Sequence, residues 1–213
     1  MHFKRKNIVL TIIICILAVL FVATGGVLSK YKEAVTLDSN VTVSSGKLAS
    51  KFSLQEHKAV QNPDGTYSLD LSVDPVQNNS YKDLPGVALP KDPYFTITKQ
   101  TEIEAYLYVE IFDTLGDNGL TYTVTADWLD LGITGTKGGK VYVYTGGEAN
   151  AKKLTNGFSE NALYILQDDQ ITVSSENKSD LGEVTLSFHG YLAQASLAAD
   201  ATAVFTTCFG GTN

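Results

Sequence analysis

Ala105-Tyr106-Leu107-Tyr108-Val109-Glu110-Ile111-Phe112 is the stretch on which the fold turns. A strand points successive side chains to opposite faces, so Leu107, Val109 and Ile111 share one face while Tyr106, Tyr108 and Phe112 share the other. Both faces are apolar, which suits a strand covered on both sides and central in its sheet. Outward from it the chain reads as further short strands over residues 35–43, 47–54, 66–73, 94–98, 122–128, 140–145, 162–167, 170–174 and 183–192. Residues 66–73 alternate apolar with polar at period two, the mark of a strand with one buried face. Turn chemistry separates the strands: Asn62-Pro63-Asp64-Gly65, Gly116-Asp117-Asn118-Gly119, Gly138-Gly139 and Gly146-Gly147. Many short strands joined by glycine turns predict an all-β fold, a jelly-roll or Ig-like β-sandwich that buries both faces of the central strand.

Two segments depart from the strand pattern. Pro75, Pro85, Pro90 and Pro93 fall in one stretch with Asn78-Asn79-Ser80, which neither a helix nor a central strand could absorb. It is expected to be a long loop crossing between sheets or along an edge. Near the end, Leu197, Ala201, Val204, Phe205 and Cys208 fall at helical spacing, and Gly210-Gly211 can cap the C-terminus. The spacing predicts a short amphipathic helix packed on the β core, with Cys208 as a buried small hydrophobe.

The N-terminus carries an address. Lys4-Arg5-Lys6 precedes an apolar run from Ile8 to Ala23, and Thr24-Gly25-Gly26 follows. This is the three-part pattern of an export signal. Extended to Leu28, the run approaches the roughly 20 residues that span a bilayer. Residues 1–29 therefore read as a signal peptide, cut between Ser29 and Lys30 by a signal peptidase, or as a retained membrane anchor spanning Ile8 to Leu28. Residues 30–213 form one extracellular domain, since 184 residues suffice for one core and are too few for two large ones. That part holds 13 basic and 23 acidic residues, a net charge of −10. Such a surface repels phosphate backbones, so no nucleic-acid partner is expected. Cys15 lies inside the apolar run and leaves Cys208 alone, so the domain has no internal disulfide and depends on its hydrophobic core.

The search for chemistry returns little. His2, His57 and His189 do not stand at metal-ligand spacing, and Glu56-His57-Lys58 lacks the second histidine a zinc protease helix needs. No nucleophile elbow, phosphate loop or dinucleotide fingerprint occurs, so no cofactor and no catalytic residue is assigned. Asp113, Asp117, Asp127, Asp130, Asp168 and Asp169 lie in or beside turns. Such loop carboxylates could hold calcium if they met in space, although solvated turn acids are the ordinary explanation.

Three separated stretches resemble one family. The Gly25-Gly26-Val27-Leu28-Ser29-Lys30-Tyr31 junction, with Val43-Ser44-Ser45-Gly46-Lys47-Leu48 after it, resembles the start of the TasA and camelysin group, exported proteins of Gram-positive bacteria handled by a SipW-type signal peptidase. Leu84-Pro85-Gly86-Val87-Ala88-Leu89-Pro90-Lys91-Asp92-Pro93, leading into Tyr94-Phe95-Thr96-Ile97-Thr98 and Ala105 to Glu110, looks like the group's proline-glycine crossover and following strand. Leu186-Ser187-Phe188-His189-Gly190-Tyr191-Leu192-Ala193-Gln194-Ala195 looks like its last strand. The resemblance implies a jelly-roll-like sandwich, secretion and, in the TasA branch, assembly into fibres of a biofilm matrix. Lys30 to Val43 would be the strand donated to the edge of the next subunit. Lys30-Tyr31 departs from the small-aromatic pair usual at the new N-terminus. Some camelysin relatives are labelled metalloproteases, but no residue set here receives that activity. The expected function is a non-enzymatic secreted or cell-surface structural protein. The alternatives are a membrane-anchored binding or adhesion module, using the Pro75 to Pro93 loop, and a secreted metallopeptidase.

Overall fold

The computed structural model describes residues 32–36, 39–43, 52–81, 88–97, 103–115, 119–155, 158, 160–173 and 185–212. Among these the chain is mostly antiparallel β, with one short α-helix near the C-terminus. The expected signal or anchor at residues 1–29, with the Ser29-Lys30 cut, lies outside the described residues, as do Cys15 and His2. No helix of the described residues is long and apolar enough to cross a membrane.

Fourteen strands are described: β1 Lys32–Thr36, β2 Ser39–Val43, β3 Phe52–Gln55, β4 Lys58–Gln61, β5 Tyr67–Asp70, β6 Leu89–Pro90, β7 Tyr94–Ile97, β8 Ala105–Asp113, β9 Leu120–Thr121, β10 Trp128–Thr134, β11 Lys140–Tyr144, β12 Glu160–Tyr164, β13 Gln170–Val173 and β14 Leu186–Gln194. The largest sheet runs β10-β11-β8-β14-β1-β2. Two three-stranded sheets, β12-β7-β3 and β6-β13-β9, and the β4-β5 ribbon complete the set. The expectation for residues 105–112 holds: β8 lies between β11 and β14, and it pairs with β14 along nine residues from Ala105↔Gln194 to Asp113↔Leu186.

The two faces of β8 separate as the alternation predicts. Leu107, Val109 and Ile111 join a buried cluster with Phe52, Leu54, Phe95, Ile97, Leu163, Trp128, Phe188 and Leu192. This places the β12-β7-β3 sheet against one face of the large sheet. Tyr106 and Tyr108 join Val141, Val143, Tyr191 and Ala193 on the other face. That face is covered by the helix α1, Ala201–Phe209, through Ala201, Val204, Phe205 and Cys208. The stripe read from the sequence is therefore the helix's buried face. Leu197, the first residue of the expected stripe, instead ends a 3-10 turn over Ala195–Leu197 and packs on the same cluster. Asp200 caps the helix by accepting from the Ala203 N–H at 2.8 Å, and Gly210, at φ 80°, closes it with its N–H on the Thr206 carbonyl.

Several boundaries differ from the expectation. The strand expected over residues 35–43 is two strands, β1 and β2, paired antiparallel through Ala34↔Val43 and Thr36↔Ser39. The strand expected over residues 122–128 is absent: Tyr122 to Asp127 is irregular, with one bridge at Val124↔Leu166, and β10 begins at Trp128. The Asp127 carbonyl is taken by the N–H groups of Thr145 and Gly146, and the Trp128 N–H turns back to Thr125. Residues 123–125 still meet residues 165–167, the Thr125 N–H on the Ile165 carbonyl and the Gln167 N–H on the Thr123 carbonyl, which is one bridge and too short for a strand. The proline-rich stretch is not wholly loop, since Leu89–Pro90 pairs with Gln170-Ile171 and Val76 bridges Glu56. β4 carries too short a pattern to have been read from the sequence. Its outer edge is occupied by a side chain: Asn79 Oδ1 accepts the Ala59 N–H at 2.7 Å and Asn79 Nδ2 donates to the His57 carbonyl at 2.8 Å, as a paired strand would.

Candidate functional site

Two features of this architecture are candidates for function: the edges of the large sheet and a buried charged cluster at the β3–β4 corner.

The edges are unlike each other. At β10 the ladder to β11 shifts register between Asp130 and Thr134, Gly132 takes φ 67°, and the Asp130 carboxylate accepts the Gly132 N–H at 2.8 Å. The Thr134 end of this edge is bridged by Thr212. A bulge, an aspartate and a covered end are the features that blunt an edge against further pairing. At the other side β14 pairs with β1 over five consecutive residues, Lys32↔Ala193 to Thr36↔His189, and β2 is the outermost strand. Residues 32–36 and 39–43, most of the segment read as a donor strand, thus lie along the edge of their own sheet, β1 held to β14 and β2 to β1 by main-chain pairing.

The charged cluster is built from two dipeptides that strand pairing brings together. β3 and β7 run antiparallel with Gln55 opposite Tyr94, so Glu56-His57 leaves β3 beside Lys91-Asp92 as it enters β7. His57 Nδ1 lies 2.5 Å from Asp92 Oδ2, and the His57 N–H donates to Asp92 Oδ1 at 3.0 Å. Lys91 Nζ lies 2.7 Å from Glu56 Oε2, with the two side chains 8% and 0% exposed. Neither Glu56 oxygen has a regular hydrogen bond, so this contact is one of charge rather than of aligned donor and acceptor. Burial pushes the Glu56 carboxyl above its ordinary value, while Lys91 and then the Asn79 carboxamide pull it down. The ring of Phe188 stands 5.9 Å from Lys91 Nζ. Tyr81, whose hydroxyl donates to the Pro90 carbonyl, is raised by burial and by the charges of Glu56 and Asp92. Tyr94 packs on His57 with ring centres 5.2 Å apart and on Tyr164 at 5.4 Å. Asp168 and Asp169 both take positive φ, 56° and 52°, in the turn beside this cluster, where the Asp169 carbonyl accepts the Lys91 N–H. The Asp169 carboxyl is raised, first by burial and then by the charges of Asp92 and Asp168.

No family model matches the chain, no curated protein matches it, and no solved structure matches it.

Of the residues singled out from the sequence, Glu56, His57, Asp168 and Asp169 meet in or beside this cluster. His189 does not; it lies on β14 opposite Glu110. Asp113 caps its own turn, accepting the Leu115 N–H and the Tyr122 hydroxyl. Asp130 caps the β10 bulge, and Asp117 lies outside the described residues. Among the described residues no group of three His, Cys, Asp or Glu side chains is arranged to hold a metal ion. Sequence reading missed Lys91, Asp92 and Asn79, because their partners lie 20 to 35 residues away: the β3–β7 register brings in Lys91 and Asp92, and the β4 edge brings in Asn79. It also missed Glu110, a fully buried carboxylate on the tyrosine face. Glu110 Oε1 accepts the Lys137 and Gly139 N–H groups at 2.7 and 3.0 Å, and Oε2 accepts the Tyr191 hydroxyl at 2.7 Å. The two backbone contacts of Glu110 tie the β10–β11 turn to the sheet and the third joins it to Tyr191 on β14, which is a structural role.

Proposed function

We propose that the chain is a non-enzymatic exported structural protein of the TasA and camelysin kind, whose subunits join by passing the N-terminal segment, residues 30–43, onto the β14 edge of the next copy. The observation that carries this reading is the five-residue ladder between β1 and β14. A segment held by main-chain bonds at a sheet edge can be replaced by the same segment from another chain with the same bonds, so exchange conserves the interaction while linking subunits. The blunted β10 edge supports growth through the β14 side alone. In this reading the apolar layer between the large sheet and β12-β7-β3 is the core of a jelly-roll-like β-sandwich, residues 30–213 form the extracellular domain, and residues 1–29 are a signal peptide cut at Ser29-Lys30 or an anchor through Ile8 to Leu28. The net charge of −10 over residues 30–213 keeps free subunits apart.

The test is assembly of purified residues 30–213 against a form lacking residues 30–43, followed by light scattering over a range of concentrations. The longer form is expected to grow with concentration and the shorter one to stay small. Two strictly monomeric samples would sink the reading. A start at Lys30 in the native protein supports release, and an intact Met1 supports tethering.

A further inference from the structure

The Lys91-Glu56 pair and the Asn79 carboxamide together bring a buried amine and a buried acid beside the amide carbonyl of a half-buried asparagine. We propose that Lys91 and Asn79 become joined by an amide bond between Lys91 Nζ and Asn79 Cγ, formed by the chain itself with Glu56 as the proton-transferring group.

Four observations carry the assignment. The amine is in contact with the acid: Lys91 Nζ is 2.7 Å from Glu56 Oε2, and both side chains are withdrawn from water. The contact of the acid with the amine is one of charge and proximity, without an aligned hydrogen bond on either oxygen. The Asn79 carboxamide faces the same carboxylate. Its carbonyl oxygen already accepts the Ala59 N–H at 2.7 Å, and its nitrogen is fixed by the His57 carbonyl at 2.8 Å. A backbone N–H on the carbonyl oxygen is the arrangement that stabilises negative charge as a nucleophile adds to the carbon. Burial also raises the Glu56 carboxyl, which favours its acid form for the second half of the step.

The step balances without a co-reactant. Lys91 gives a proton to Glu56 and its Nζ lone pair attacks Asn79 Cγ, placing the developing charge on Oδ1 against the Ala59 N–H. Glu56 returns its proton to Nδ2 as the Cγ–Nδ2 bond breaks, and takes the proton that Nζ sheds. One amine and one primary amide become one secondary amide, and one ammonia leaves. A buried ion pair between Glu56 and Lys91 would be the resting arrangement before the reaction, and such a pair adds little stability by itself. The product would tie the β6–β7 connection to the segment that covers the β4 edge.

The test is tryptic mapping of the folded full chain, read by mass spectrometry under denaturing conditions. Trypsin separates residues 59–82, which hold Asn79, from the residues after Lys82, and cuts after a free Lys91. The expected result is residues 59–82 and 83–99 recovered as one species, uncut at Lys91 and lighter than the sum of the two by one ammonia. Glu56→Gln is expected to lower the joined fraction at least tenfold, and Asn79→Asp to give the same joined species by losing water. Recovery of the wild-type chain wholly as free peptides cut at Lys91, after prolonged incubation in the folded state, overturns the proposal. The readout needs no assembly, so its failure leaves the strand-exchange reading untouched.

Discussion

On one face of β8, Leu107, Val109 and Ile111 meet the stacked rings of Phe52 and Phe95, whose centres are 5.3 Å apart, and the rest of an apolar cluster. On the other face the tyrosines of the large sheet carry polar ends inward: the Tyr108 hydroxyl donates to the Ala201 carbonyl at 2.9 Å and the Tyr191 hydroxyl to Glu110 at 2.7 Å. The first face is held by shape and area, while the second adds to its apolar packing a few directed bonds between buried partners. The first should therefore lose stability in proportion to the volume removed and independently of pH. The second should lose it bond by bond, and should respond to proton uptake.

The largest expected loss is on the aliphatic face. Phe95 is fully buried, and Phe95→Ala should cost about 3–5 kcal/mol as a cavity opens between the sheets. Gly190 probes the same contact from the other side: a Cβ there would stand 2.3 Å from Phe95 Cε1, so Gly190→Ala should cost about 1–3 kcal/mol by overpacking. Urea titrations at two pH values check both, and losses that changed with pH would break the contrast.

Glu110 is next. Glu110→Gln keeps the shape but turns an amide N–H₂ toward one of three donors, Lys137 N, Gly139 N or the Tyr191 hydroxyl, at a cost of about 2 kcal/mol. Gly135 is fitted to this carboxylate, since a Cβ would stand 2.3 Å from Glu110 Cδ. Gly135→Ala should therefore match Glu110→Gln in direction, and adding it to Glu110→Gln should cost less than the two singles together. Full additivity would mean the two residues act apart.

The sequence made β8 legible because an apolar run that alternates aliphatic with aromatic has only one comfortable place, between neighbours and between layers. The helix was legible for a similar reason, its stripe repeating every three or four residues. Periodicity names the face a side chain takes but not the partner across the sheet. Gly190 reads as an ordinary strand glycine until Phe95 is seen to occupy the space of its Cβ. Glu110 reads as the polar interruption of an apolar run until the β10–β11 turn is folded over it. The charged cluster was half legible: Glu56-His57 stood out as an odd dipeptide, while Lys91-Asp92 became its complement only through the β3–β7 register. The split of residues 35–43 into β1 and β2 was not legible, because both halves carry strand-forming residues and pairing alone divides them.

At alkaline pH the tyrosine face should supply a large part of the proton response, beside Tyr81 and Tyr122, whose hydroxyls burial also raises. Burial raises the Tyr108 and Tyr191 hydroxyls above the ordinary value, with the Glu110 contact adding to the rise at Tyr191. A folded-state value above the unfolded one, about 10, means that stability is intact below pH 10 and is lost as pH climbs through that value, by up to about 1.4 kcal/mol per pH unit for each tyrosine. Tyr108→Phe with Tyr191→Phe should make the alkaline limb shallower, leaving a remainder from Tyr81, raised by burial and by Glu56 and Asp92, and from Tyr122, raised by burial and by Asp113. An unchanged limb, followed by circular dichroism between pH 9 and 11, would place the alkaline sensitivity elsewhere.

The smallest effect belongs to Tyr108→Phe at neutral pH. The change removes one hydroxyl and leaves the ring stacked edge-on to Phe205 at 5.2 Å, so area and packing are kept. What is lost is one bond to the Ala201 carbonyl, at the first residue of α1, whose oxygen would then rest on the helix's own ladder. That sets the expected cost at about 1 kcal/mol. Because the bond joins the helix to the sheet, the loss should appear first as faster amide exchange across residues 201–209, while β8 amides stay protected. Uniformly faster exchange through both elements would mean that the helix and sheet open as one unit, and that the tyrosine face is as cooperative with the rest of the core as the aliphatic face is.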